Sequence, residues 1–176
     1  MDNVVRGANW YFDVLNLWRV LDEVTLPEMR HAEDDFVAGG HTMGLKLQEE
    51  LQALEAKVKT KTTDPQVQGL VGRQPGNYVT ATYYENLLSF RTGENKGRVI
   101  TMKGLLNGAK QDGVKGHKAA GREYTFGMMV YYADVYDGRF IHRFDYFAGP
   151  AATIVDGVAV YAAMAGNIAI AGGIQL

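Results

Sequence analysis

Apolar and polar positions along much of the chain alternate with a period of two, the signature of strands that bury one face. Trp10, Phe12 and Val14 alternate with Tyr11, Asp13 and Leu15, which predicts an N-terminal strand with aromatic anchors. Leu17 to Leu26 stays strand-prone through Val20, Leu21 and Val24, until Pro27 removes a ladder donor. A charged stretch, Glu28 to Asp35, then leads into Phe36, Val37, Ala38, Gly39, Gly40, His41 and Thr42, where Gly39-Gly40 marks a loop or hairpin apex. Leu45 to Lys61 carries two patterns at once. Leu47, Leu51, Leu54 and Val58 are spaced like one face of a helix, and the Glu, Gln, Leu, Ala and Lys content favours helix. From Leu54 onward, however, Leu54, Ala56, Val58 and Thr60 alternate with Glu55, Lys57, Lys59 and Lys61, as in a half-buried strand. Local rules alone tip this segment to helix.

Further along, Asp64 as N-cap and Pro65 at the first helical position predict a short helix with Val67, Leu70 and Val71 facing inward and Gly72 ending it. After a turn at Gln74 to Asn77, Tyr78 to Phe90 is rich in β-branched and aromatic residues, and Arg98 to Leu106 answers it across the turn Gly93 to Gly97. Asp112 to Gly121 reads as a polar loop. Tyr124 to Val135 and Arg139 to Phe147 flank Asp137-Gly138, a strong two-residue signal for an antiparallel hairpin.

Composition narrows the function classes. The 176 residues, 47% hydrophobic, suit one domain spanning 1–176 with a real core. The 21 glycines against four prolines fit many tight turns. With 18 basic and 20 acidic residues the chain lacks the basic footprint of a tight nucleic-acid binder. The absence of cysteine excludes disulfides, thiolate nucleophiles and cysteine-based zinc sites. No secretory signal is apparent, and the apolar stretch Val155 to Leu176 is too broken by Asp156, Asn167, Gln175 and glycines for a membrane span, which leaves it buried or interface-forming.

Candidate chemistry is sparse. His31, His41, His117 and His142 are scattered without metal-ligand spacing, so no metal or cofactor is expected. The nucleophile-elbow, P-loop and dinucleotide-binding glycine patterns are missing. Asp34-Asp35 and Glu49-Glu50 are adjacent pairs, whose side chains point to opposite faces of a strand and cannot share a proton. Ten tyrosines and seven phenylalanines carry too few interleaved basic residues to make a stacking platform for nucleic acid, and packing between strands or subunits accounts for them better. No catalytic residue is expected.

An ordered series of segments does carry information: Val24-Thr25-Leu26-Pro27-Glu28-Met29, Phe36 to Gly40, Leu54 to Thr60, Met102-Lys103-Gly104-Leu105-Leu106, Glu123 to Gly138, and Val155-Asp156-Gly157-Val158. In order and spacing, over nearly the whole chain, it resembles the major tail tube protein of contractile-tailed bacteriophages and of R-type pyocins. The resemblance implies a mainly β, antiparallel sandwich or barrel protomer with one short helix. Strands of this protomer join a continuous inner barrel of a hexameric ring, and rings stack into a hollow tube that conducts DNA during tail contraction. It also implies that Leu45 to Lys61 is strand. The implied partners are further copies in stacked homohexameric rings, the sheath, baseplate and tail terminator proteins, and the tape-measure protein and DNA held in the lumen without sequence-specific binding. The implied location is the virion, after synthesis in the bacterial cytoplasm.

On that resemblance, Phe36 to Thr42 is the loop that reaches an adjacent ring. Leu54, Ala56 and Val58 pack inward, while Glu55, Lys57 and Lys59 face lumen or solvent. Where such proteins usually end in a charged tail, Tyr161 to Leu176 here is alanine- and glycine-rich and nearly uncharged, which makes Ile168, Ile170, Ile174 and Leu176 candidates for a subunit interface. The alternatives are the tube of a pyocin or type VI secretion system and, from a different class, a monomeric β-barrel that binds a small ligand.

Overall fold

The computed structural model describes residues 3–117 and 120–170. The chain opens with β1 (Asn3–Phe12), which turns at Asp13-Val14 into β2 (Leu15–Asn16). Asp13 sits at φ 51, and its carboxylate accepts a hydrogen bond from the Thr80 amide at 2.9 Å. Trp10 and Phe12 are fully buried as the alternation predicts, but Val14 is at the turn tip and solvated. A turn through Leu17–Val20 leads to β3 (Leu21–Thr25), which ends before Pro27. Next come β4 (His31–Phe36) and β5 (Leu45–Leu51), then β6 (Ala56–Thr60). The segment on which helix and strand rules conflict is therefore strand, split in two at Gln52–Glu55.

Helix α1 spans Pro65–Gln68, with the Asp64 carboxylate accepting from the Gln66 amide at 2.8 Å. It stops earlier than the sequence predicts. Gly69 is its cap, two further tight turns follow, and Gly72, at φ +81, donates instead to the Leu106 carbonyl. Val67 and Leu70 are buried and Val71 half-buried. The long strands are β7 (Val79–Ser89), β8 (Asn95–Gln111) and β9 (Arg122–Tyr136). The Asp137-Gly138 turn, φ 49 and 80, returns the chain as β10 (Arg139–Asp145). These paired positive φ values are what a two-residue hairpin needs to match strand twist.

After β10 come a 3₁₀ turn (Pro150–Ala152), β11 (Ile154–Val155), β12 (Val158–Ala159) and α2 (Ala162–Asn167), a helix beyond the single one expected. Alanine content permits α2, and its Ala165 is fully buried.

All named strands but β4 and β5 form one antiparallel sheet, running β12-β11-β10-β9-β8-β7-β1-β2, with β6 paired to β9 and β3 paired to β6. β9 is thus shared. Its first half, Arg122–Phe126, pairs with β6, and its second half, Tyr131–Tyr136, pairs with β10, while β8 runs along both halves. The two halves meet at a bend where Lys103 opposes Tyr131 but Leu105 opposes Gly127. Met128, at φ 45, lies in that bulge, and a Cβ on Gly104 would come within 2.6 Å of the Gly127 carbonyl oxygen. Close backbone approach of this kind is open only to glycine.

The bend rolls the sheet over a core of Trp10, Phe12, Ala56, Val58, Val79, Ala81, Ile100, Met102, Leu106, Tyr124 and Phe126. Phe12 of β1 lies 6.3 Å from the Tyr124 ring and 6.0 Å from the Phe126 ring, so β1 and the first half of β9, which are not paired, face each other across the core as in a sandwich. No helix among the described residues is long and apolar enough to cross a membrane.

Candidate assembly surfaces

A chain with no expected catalytic constellation must be read from its surfaces. Among the described residues no group of three His, Asp or Glu side chains is arranged to hold a metal. Four features stand out: two open strand edges, a projecting arm, an apolar groove and a charged row.

The path β3-β6-β9-β8-β7-β1 ends in two strands with free outer edges. β3 pairs only with β6, and β1 meets β2 only at Tyr11 and Phe12, with the Trp10 carbonyl accepting from the Leu17 amide, which leaves Asn3 to Asn9 open on that side. Unpaired edge N–H and C=O groups are a template for another strand. By contrast the edge of β10 is partly covered, since β11 pairs with His142 and Arg143 and the Asp156 amide donates to the Ile141 carbonyl.

The arm consists of β4 and β5, which pair only with each other. Its register places Phe36 opposite Leu45, Asp35 opposite Lys46, Asp34 opposite Leu47 and Glu33 opposite Gln48. With side chains alternating between faces, Phe36, Leu45, Leu47 and Asp34 share one face. Asp35, Lys46, Glu33 and Gln48 share the other, where Lys46 pairs with Glu33 at 3.0 Å. The apolar face covers nothing in the protomer: Phe36 is 51% exposed, Leu45 60% and, at the tip, Val37 62%. The expected loop Phe36 to Thr42 is the end of this arm, with Gly40 at φ +91 in its turn. A lone two-stranded hairpin is marginal in water, so a partner surface is needed to hold it.

At the base of the arm lies a groove of about 780 Å³. Met29, Leu51, Tyr132, Phe144, Ile154 and Met164 are among its apolar lining residues. His31, Glu49, Glu50, His142, Arg143 and Asp145 also reach it. The Arg143 Nε is buried and has no hydrogen-bond partner among the described residues. The tail, which contributes Tyr161 and Met164 to the lining, keeps Val158, Met164, Ile168 and Ile170 solvated in the protomer. Of the expected tail residues, Ile168 and Ile170 are each 53% exposed, and Ile174 and Leu176 lie outside the described residues.

The charged row crosses the outer face of the sheet. Lys59 of β6 stands opposite Glu23 of β3 and Glu123 of β9, and Glu123 in turn stands opposite Lys110 of β8. Signs therefore alternate across four strands. Leu54, Ala56 and Val58 point inward and are buried, whereas Lys57 points outward beside Glu55 at 3.8 Å. The opposite, buried face ends in a triad. Arg98 makes two bonds to Asp134, at 2.9 and 2.7 Å, with Glu85 at 3.8 Å. Burial, joined by the charge of Glu85 and a bond to it, pushes the Tyr83 hydroxyl up to about 12.

Sequence reading brings out the arm tip, the outward lysines and the need for open edges, but not which strands carry them, nor the place of Asp34 in the arm, nor the groove. His31 to Phe36 reads as solvated charge because an arm wet on both faces shows no apolar alternation. The groove and the edges arise only when distant segments meet.

The comparisons agree with this architecture. The family described as phage tail tube protein FII matches residues 2–168. No curated protein matches the chain by sequence. Among solved structures, a chain of the PVC sheath–tube complex, an extracellular contractile injection system in its extended state, is similar with a TM-score of 0.55 at 8% identity, over 73% of this chain and 88% of that one. A chain of the PVC sheath/tube terminator complex in the extended state is similar with a TM-score of 0.50 at 9% identity, over 69% of this chain and 88% of that one.

Proposed function

We propose, because this chain belongs to the phage tail tube protein FII family and is a structural subunit of a tail tube, that its copies close into homohexameric rings that stack around a lumen. The observation that carries this reading is the pair of free edges at opposite ends of one sheet path, on β1 and β3. Joining β3 of one copy to β1 of the next satisfies both edges and, once the ring closes, leaves none. The whole chain acts as one tail tube domain, structural rather than catalytic, in a virion or phage-like particle after synthesis in the host cytoplasm.

In this assembly the row Glu23, Lys59, Glu123 and Lys110, with Glu55 and Lys57 beside it, lines the lumen. Balanced charge there presents no continuous positive surface to grip a polyanion, so DNA and a tape-measure protein pass without being held. The arm tip, Phe36 to Thr42, reaches a copy in an adjacent ring. Sheath, baseplate and tail terminator proteins are the outer and end partners. The similarity to chains of an extracellular contractile injection system also favours a second reading, in which the same tube belongs to a pyocin or type VI secretion system and differs in cargo rather than in shape.

Electron microscopy of the purified protein tests the first reading. Hollow rods or closed rings are expected, and a persistent monomer with a ligand in a pocket would refute it. Amine labelling then tests the lumen: Lys57 and Lys59 should lose reactivity in end-blocked tubes.

A further inference from the structure

Helix α2 ends in a way that fixes where the chain leaves it. Ala169 takes a left-handed φ of 55, its amide donates to the Gly166 carbonyl at 3.2 Å, and the Ile170 amide reaches back to the Ala165 carbonyl at 2.9 Å. This paired pattern satisfies the last carbonyls of a helix and stops it. It seats Ile170 at the rim of the groove. A Cβ placed on Gly149 would lie 3.2 Å from the Ile170 Cγ2, and Gly149, Tyr161 and Met164 all line the groove.

The sequence continues as Ala171-Gly172-Gly173-Ile174-Gln175-Leu176, which lies outside the described residues. A segment of that length reaches up to about 20 Å when extended, enough to enter a groove whose rim Ile170 already touches. Ile174 and Leu176 are two positions apart, so in an extended chain they point the same way. They match the apolar lining of Met29, Leu51, Phe144 and Ile154, and no side chain from 171 to 176 is charged. The absence of charge fits the site, since Glu49, Glu50 and Asp145 also reach the groove and an acidic occupant would meet like charges there.

We propose that residues 174–176 fill the groove of their own protomer, with Ile174 and Leu176 against Leu51 and Phe144, and strap the base of the arm to the body. The arm needs such a tie. His31 and Leu51 stand opposite each other where β4 begins and β5 ends, and these two strands pair only with each other. Met29 and Leu51 are the apolar side chains at that junction, and both line the groove. An apolar segment lodged between them and Phe144 of β10 holds the arm at one angle before any neighbour arrives. The strap belongs to the single protomer and does not depend on ring closure.

The test uses the full chain below the concentration at which rods form, each variant first checked for folding by circular dichroism. The chain has no cysteine, so Leu51→Cys with Leu176→Cys can be joined cleanly by a short bifunctional maleimide. A link within single copies is expected, read as a faster-moving monomer on a denaturing gel. A ladder of linked copies, which would put a neighbour's tail in the groove, or no link at all would overturn the proposal. Amide hydrogen exchange gives an independent reading. Ile174→Ser with Leu176→Ser should speed exchange at Gln48 to Leu51 by about tenfold, because the arm base then opens locally. Gln175→Ser, on the other side of the extended segment, should leave it unchanged. Equal exchange in the two variants, or an apolar small molecule found filling the groove of the wild-type chain, would also overturn the strap. Neither measurement requires rods, so its failure and the failure of the tube reading are separate outcomes.

Discussion

At the scale of single residues, the bend that rolls the sheet depends on Gly104. An added methyl group there would meet the Gly127 carbonyl oxygen at 2.6 Å, the Met128 carbonyl oxygen at 3.2 Å and the Met129 Cα at 3.3 Å, all backbone atoms that cannot swing aside. Gly104→Ala should therefore cost about 2 kcal/mol or more, read from a urea midpoint. Gly127→Ala would meet the Asn107 amide at 2.7 Å, the end of a flexible side chain, and should cost less. The buried triad gives a second case. Asp134→Asn leaves Glu85, at 3.8 Å, as the remaining carboxylate beside Arg98 and should cost about 1–3 kcal/mol, the usual loss for a charged hydrogen bond. Its neighbour Tyr83 sets an alkaline limit. With the folded hydroxyl raised from 10.0 to about 12, the folded state binds its proton more tightly than the unfolded chain. That contribution is whole below about pH 10 and is lost as pH rises toward about 12. Denaturant midpoints should fall across that window, and less steeply in Tyr83→Phe.

At the scale of elements, legibility followed how local the cause was. Asp137-Gly138 and the Asp64-Pro65 helix start were readable because a turn or a cap is fixed by two or three neighbouring residues, and both are where the sequence predicts them. The end of that helix was not, since Gly72 is drawn away by a long-range bond to Leu106. Leu45 to Lys61 defeated propensity for the same reason. Ala56 to Thr60 is held as strand by β3 on one side and β9 on the other, partners that its own residues do not announce. The resemblance of the whole chain supplied that answer, where the segment alone pointed to helix. The arm shows the opposite situation, an element with no such support. Substituting Leu45→Ser and Leu47→Ser should change protomer stability by no more than about 0.5 kcal/mol, as for other solvated positions. The same pair should abolish rods in negative stain, because these side chains are exposed only until a neighbour arrives. A large fall in protomer melting temperature would instead mean that the arm packs on its own body.

At the scale of the whole molecule, the open edges and uncovered apolar surfaces make stability a property of the assembly. β1 and β3 each leave backbone donors and acceptors to water, and the tail adds Ile168 and Ile170, both more than half exposed. Any partner that binds the folded state and not the unfolded one raises apparent stability by mass action. When the partner is another copy, that increment grows with protein concentration. The melting temperature of the wild-type chain should therefore rise with concentration across the range in which rods appear. It should be independent of concentration in the Leu45→Ser, Leu47→Ser variant, whose arm no longer offers a neighbour its apolar face. Deleting Ile168 to Leu176 should lower the assembled melting temperature, in part by removing the area of Ile168 and Ile170 that only a neighbour can bury. A wild-type midpoint that stays fixed from dilute to concentrated solution would mean that the protomer already satisfies its own edges, and a closed ring would then have nothing left to supply.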